Sequence, residues 1–197
     1  MTTYDIVFLL AFLFPLAFSP GPGNLFFAAT GAKFGLKSTF ELSLGYHIAT
    51  FVVTCSIGLG FNAAIHSVPD VLGYIKIIGA VYVIWLAWSL FSAGRLAGQQ
   101  NAKPANFLDG VLLLALNPKA YVIIALMFTQ FLAGNTAIGW VITIAIIFTL
   151  NNLMAFTLWT VVGDTLSKRF SSKEQARYLN GFFGAILALV GFWMLIS

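Results

Sequence analysis

The sequence predicts an all-α integral membrane protein: six transmembrane helices, arranged as two inverted three-helix repeats in which helices 1 and 4 are broken. Three observations carry this. Hydrophobic residues make up 60% of the chain and charged residues only 8%, with a mean hydropathy of +0.94. Soluble domains carry roughly 25% charged residues, so this chain lacks the polar groups to cover a surface facing water. Six apolar segments are each long enough to cross a bilayer, which takes about 20 residues. Helix breakers stand deep inside the first and the fourth, at Pro20–Pro22 and at Pro118.

The segments run over about 4–32, 40–64, 70–92, 107–131, 137–162 and 177–196, joined by connections too short for a soluble domain. The chain therefore reads as one transmembrane domain over 1–197, with pseudo-repeats of about 1–98 and 99–197. No basic stretch precedes the first segment and no small-residue cleavage site follows it, so it is expected to stay as a helix. Ten-residue dyad alternation is absent, which disfavours a β-barrel.

Cations set the orientation. Lys33 and Lys37 follow the first segment, Arg95 and Lys103 the third, and Lys168, Arg169, Lys173 and Arg177 the fifth. The N-terminus, the loops around 66–70 and 134–139 and the C-terminus carry none. Basic loops stay cytoplasmic, so both termini are expected outside. Scattering the net charge of +4 in this way marks topology, not nucleic-acid binding.

In "AFSPGPGNLFF", Pro20 and Pro22 lack amide protons, so carbonyls near Leu16 and Phe18 lose their helical partners. Broken backbone at membrane depth is tolerated only inside protein or beside a wet cavity. A new half-helix is expected to start near Gly21 and Pro22, since proline suits the first helical position. Its free amides, over Gly23 and Asn24, would attract a carboxylate. The bland alternative is a proline kink that only shapes packing.

"LALNPKAY" repeats the device. Asn117 can cap a helix whose first residue is Pro118. Lys119 lies about 18 Å into its segment at about 1.5 Å per residue, too deep to snorkel easily. A lysine there must be paired or hydrated. No carboxylate falls at similar depth, so its partner is a substrate carboxylate, backbone carbonyls or water. Asn151 and Asn152 project about 100° apart on one helix. One lines the cavity, or both serve as interhelical glue. His47 is a candidate proton carrier or, equally, a neutral histidine bonded between helices. Tyr82 completes a weaker set.

Other residues carry packing readings. Gly31 with Gly35, Gly45 with Ala49 and Gly181 with Ala185 have the small-xxx-small spacing of close helix approach. The five tryptophans suit interface or core. Cys55 is the lone cysteine, so an intrachain disulfide and a zinc cluster are both excluded. "GPGN" and "GAKFG" lack the Gly-Lys-Ser/Thr of a phosphate loop, so ATP drive is unsupported and no cofactor is expected.

"SPGPGNLFF", "GAKFGLKSTFELSLGYHIAT", "IKIIGAVYVIWLAWSLFSAG" and "FLDGVLLLALNPKAYVI" occur in this order, and together the chain resembles the LysE/RhtB family of amino-acid exporters. That resemblance implies a bacterial inner-membrane protein that exports amino acids or small derivatives, driven by the proton motive force. Membrane lipid and a small amino acid are then its partners, and self-association stays open. An ion or metal permease is the alternative, though it asks for buried Cys, Asp or Glu ligands. An enzyme is not expected: His47 stands without a second catalytic group at its depth.

Overall fold

The computed structural model describes residues 2–67, 103–132 and 138–169 throughout, with single helical positions within 77–88 and 178–192. Asp70, Tyr82, Arg95, Thr136, Lys173, Arg177 and the last five residues lie outside the described residues. Among those described, every regular element is helical: α1 (Thr3–Phe18), α2 (Pro22–Phe34), a 3-10 turn (Leu36–Thr39), α3 (Phe40–Ser67), α4 (Phe107–Ala115), α5 (Pro118–Phe131) and α6 (Ile138–Arg169).

The breaks fall where the prolines predict them. α1 stops at Phe18, α2 starts with Pro22, and the pair bends by 61°. α4 stops at Ala115, α5 starts with Pro118, and that pair bends by 62°. The two pairs also begin alike. Thr2 and Asp5 form a reciprocal capping box at α1, and Asn106 and Asp109 form another at α4. Such a box satisfies amides that the first turn leaves open. α2 and α5 both start instead with proline at the first turn and no side-chain cap.

α3 and α6 are long and apolar enough to cross a membrane unbroken. α3 continues to Ser67, so His66 lies in its last turn rather than in a loop. α6 runs past residue 162 to Arg169, which brings Lys168 into its last turns, where it pairs with Asp164 at 2.7 Å. Charged last turns of this kind leave the apolar layer without ending the helix.

Glycine lets two helix pairs touch backbone to backbone. A Cβ on Gly163 of α6 would overlap the Ala28 carbonyl, and one on Gly31 of α2 would lie 2.5 Å from the Thr160 carbonyl. The second pair is equally reciprocal: Gly45 of α3 abuts the Phe107 carbonyl, and Gly110 of α4 abuts that of Leu42. Gly35 departs from its expected packing role. It ends α2 at φ 85°, a left-handed conformation that glycine adopts without steric cost. Gly181 meets nothing within 4 Å among the described residues, and Ala185 is exposed, so that pair shows no close approach there.

The core is apolar around these contacts, with Leu9, Leu13, Phe128 and Phe148 buried in one cluster and Phe27, Tyr46 and Phe156 in another. The outside is apolar as well: Phe8, Phe14, Val52, Leu108, Val122, Leu150 and Met154 are all exposed. Trp85 and Trp88 stand on it too. A surface of this kind is solvated by lipid tails, not by water.

Candidate functional site

A helix that ends inside a membrane leaves its last carbonyls without partners. At the end of α1 each is taken up in turn. Ser19 N–H donates to the Pro15 carbonyl at 3.1 Å, and the Ser19 hydroxyl donates to that of Leu16 at 2.9 Å. Asn24 Nδ2 donates to the Ala17 carbonyl at 2.9 Å, and Trp159 Nε1 to that of Phe18 at 3.1 Å. Lys119 Nζ donates to the Ser19 carbonyl at 2.7 Å and to its hydroxyl at 3.0 Å. The first break is thus held by α2, α5 and α6 together.

The second break faces the first. A Cβ on Gly21 would lie 2.9 Å from Lys119 Cδ, and one on Gly23 would lie 2.9 Å from the Phe156 ring and 3.5 Å from Asn117 Nδ2. The glycines of "GPGN" therefore admit the side chains of "NPK". Asn117 holds the N-cap position of α5, but its side chain does not cap the helix as expected. It turns away, and Nδ2 donates to the Tyr46 hydroxyl at 3.1 Å. Its Oδ1 is buried with no hydrogen-bond partner.

Between the breaks lies a cavity of about 10 Å³, room for roughly one water molecule. Its polar lining is Asn24, Tyr46, Asn117, Lys119 and Asn152; Leu16, Ile123, Phe148 and Phe156 give it apolar walls. Among the described residues Lys119 is the one ionised group in that lining. Both helix N-termini that adjoin it, at Pro22 and Pro118, lack side-chain caps. Cation and dipole ends together make the volume attractive to an anion.

The structure brings Gly21, Gly23, Asn24, Asn117 and Lys119 to this centre, with Pro20, Pro22 and Pro118 shaping the backbone around it. The asparagine pair divides. Asn152 lines the cavity with Phe148 and Phe156, one turn away on either side, while Asn151 is buried elsewhere with Nδ2 unpartnered. His47 is not in the lining. Its Nδ1 lies 2.7 Å from the Ser43 carbonyl, its Nε2 is buried without a hydrogen-bond partner, and the Tyr46, Phe27 and Phe156 rings surround it. Sequence reasoning passed over Ser19, Tyr46, Phe156 and Trp159. Tyr46 and Phe156 look like core aromatics until the fold aims them at a helix break, and a serine before proline carries no distinct signal.

Two broken helices meeting around a polar cavity inside an apolar bundle define the class: a membrane transport protein. Comparison with known proteins gives the family. The chain belongs to the LysE type translocator family, whose model matches residues 14–197. It is similar to a leucine efflux protein of Enterobacter, 30% identical over 183 residues that cover 88% of this chain and 85% of that protein. It is also similar to the cysteine/O-acetylserine efflux protein of Salmonella typhimurium, 28% identical over 178 residues and covering 88% and 87% of the two chains. The Escherichia coli protein of the same description is 23% identical over 167 residues, 83% of this chain and 84% of that one. No solved structure matches significantly.

Proposed function

We propose that this protein is a secondary exporter of neutral amino acids or their small derivatives across the bacterial inner membrane, driven by the proton motive force. One observation carries the reading. Lys119 enters the cavity between two uncapped helix N-termini, and among the described residues no carboxylate lines that cavity to balance it. A substrate carboxylate supplies the missing charge, and half-helix N-termini at the midplane are the usual transporter device for holding one. The relatives export leucine or cysteine and O-acetylserine, substrates with one carboxylate and no cationic side chain. A lining without acids suits that class, since a second ammonium would have no ion to pair with. His47 is the proton-coupling candidate, acting on the cavity through Tyr46. Proteoliposomes loaded with labelled leucine, cysteine, O-acetylserine and lysine test this: efflux of one of the first three under an imposed proton gradient is expected, and efflux of none overturns it.

The same reading includes six spans in two inverted repeats with both termini outside. The nearly equal bends, the paired capping boxes and the proline starts of α2 and α5 support it. With Cys55 replaced, single cysteines at Ser67 and Thr136 are expected to label from outside and those at Lys103 and Lys173 from inside. The reverse pattern overturns the orientation.

A further inference from the structure

We infer that Asn117 Oδ1 is the acceptor that reads the substrate's ammonium group, and that Tyr46 positions it. This rests on the exporter reading and assigns the half of a zwitterion that Lys119 leaves unread.

Asn117 is 5% exposed and stands on the cavity wall. Its backbone is already engaged, the N–H donating to the Leu114 carbonyl at 2.9 Å and the carbonyl accepting from Ala120 N–H at 3.0 Å. Its Nδ2 is engaged with the Tyr46 hydroxyl. Oδ1 alone remains, a buried acceptor with nothing to accept. Leaving such an atom unmatched is costly, so a ligand donor is the natural partner. The other groups of the lining are differently placed. Lys119 is donor-only, and among the described side chains of the lining Asn117 Oδ1 alone is a buried polar atom without a partner. An ammonium has three donors and no acceptor, which matches Oδ1 and no part of Lys119.

The two polar arms also sit at different breaks. Lys119 reaches the first break at Ser19, while Asn117 stays at the second, held there by the Tyr46 hydroxyl. A substrate bridging them, for which the breaks must part beyond the one-water cavity seen here, has its carboxylate toward Ser19 and its ammonium toward Tyr46. Tyr46 is fully enclosed and packs on Phe156 at 4.5 Å between ring centroids, so its hydroxyl is a fixed point from which the Asn117 amide is oriented.

The test compares purified full-length protein binding L-leucine and 4-methylpentanoate, the same acid without its amino group. O-acetyl-L-serine and 3-acetoxypropionate serve as a second pair. Wild type is expected to bind each amino acid at least tenfold more tightly than its des-amino partner. Asn117→Leu is expected to erase most of that ratio by weakening the amino acid alone. Tyr46→Phe should reduce the ratio several-fold, and Asn117→Asp, which keeps an acceptor, should preserve it. The idea is overturned if Asn117→Leu weakens both members of a pair equally or neither, the first result assigning Asn117 to the carboxylate or to structure. Should Asn117→Leu not fold, the Tyr46→Phe and Asn117→Asp ratios decide, and a ratio unmoved by the first or lost in the second overturns it. Wild type that binds the acids but does not distinguish the pairs overturns the ammonium assignment while sparing the carboxylate reading. Wild type that binds none of the four overturns both.

Discussion

Lys119 and Ser19, a hundred residues apart, are joined by a 2.7 Å hydrogen bond from the ammonium of one helix break to the last carbonyl of the other. Removing either break would leave the other's polar group stranded. A carbonyl is a weaker partner for an ammonium than a carboxylate, because only the latter brings a compensating charge. On the exporter reading proposed above, the same lysine exchanges Ser19 for an arriving substrate carboxylate.

That exchange makes Lys119→Met informative. Methionine keeps the stem but loses the charge. Hydrogen bonds to charged groups contribute about 1.5–3 kcal/mol, so carboxylate-bearing substrates should bind roughly 10- to 100-fold more weakly. Carboxamide analogues should change much less. Affinities measured for both on the folded variant check this, and an equal loss would mean that Lys119 does not read the carboxylate.

Gly163→Ala should be severe although alanine is the better helix former. Its Cβ would overlap the Ala28 carbonyl, and backbone cannot give way as a flexible side chain can. Overpacking costs about 1–3 kcal/mol, and here α2 and α6 would have to separate. Gly60→Ala is the control, since that Cβ meets nothing within 4 Å among the described residues. Thermal unfolding in detergent should fall for the first and hold or rise for the second.

Both breaks and the small-residue contacts of α2 and α3 were legible because proline and glycine act locally: a missing N–H or a missing Cβ has the same consequence in any fold. Lys119 was legible by depth alone. Its partner was not, because Ser19 becomes a ligand only when two distant breaks are brought face to face. His47 drew notice as the titratable residue, yet its neighbour Tyr46 reaches the cavity, since one residue of helix turns the side chain by about 100°. The asparagine pair failed to resolve for the same reason.

His47→Gln tests coupling. Among the described residues no carboxylate lines the cavity, and of the rings packed on His47 that of Tyr46 bonds to Asn117. Glutamine can still donate toward the Ser43 carbonyl but cannot take up a proton near neutral pH. Export driven by an imposed pH gradient should lose its dependence on that gradient, while counterflow without a gradient persists. Unchanged dependence returns His47 to a structural role.

Asn24 and Trp159 separate holding the break from using it. Each donates to a carbonyl that α1 leaves open, Asn24 to Ala17 and Trp159 to Phe18. Asn24→Leu strands the buried Ala17 carbonyl and Trp159→Phe the part-buried Phe18 carbonyl, so each should lower stability by about 1–3 kcal/mol, less for the second, a penalty visible as earlier unfolding in detergent. Their effects on transport should differ. Asn24 lines the cavity, whereas Trp159 approaches the break from behind, packed against Leu25 and Ala28. Export per folded molecule should therefore drop for Asn24→Leu and stay near wild type for Trp159→Phe. If Trp159→Phe abolished transport while remaining folded, the first break would be a moving part whose exact set of hydrogen bonds matters to the cycle, and not a rigid wall of the site.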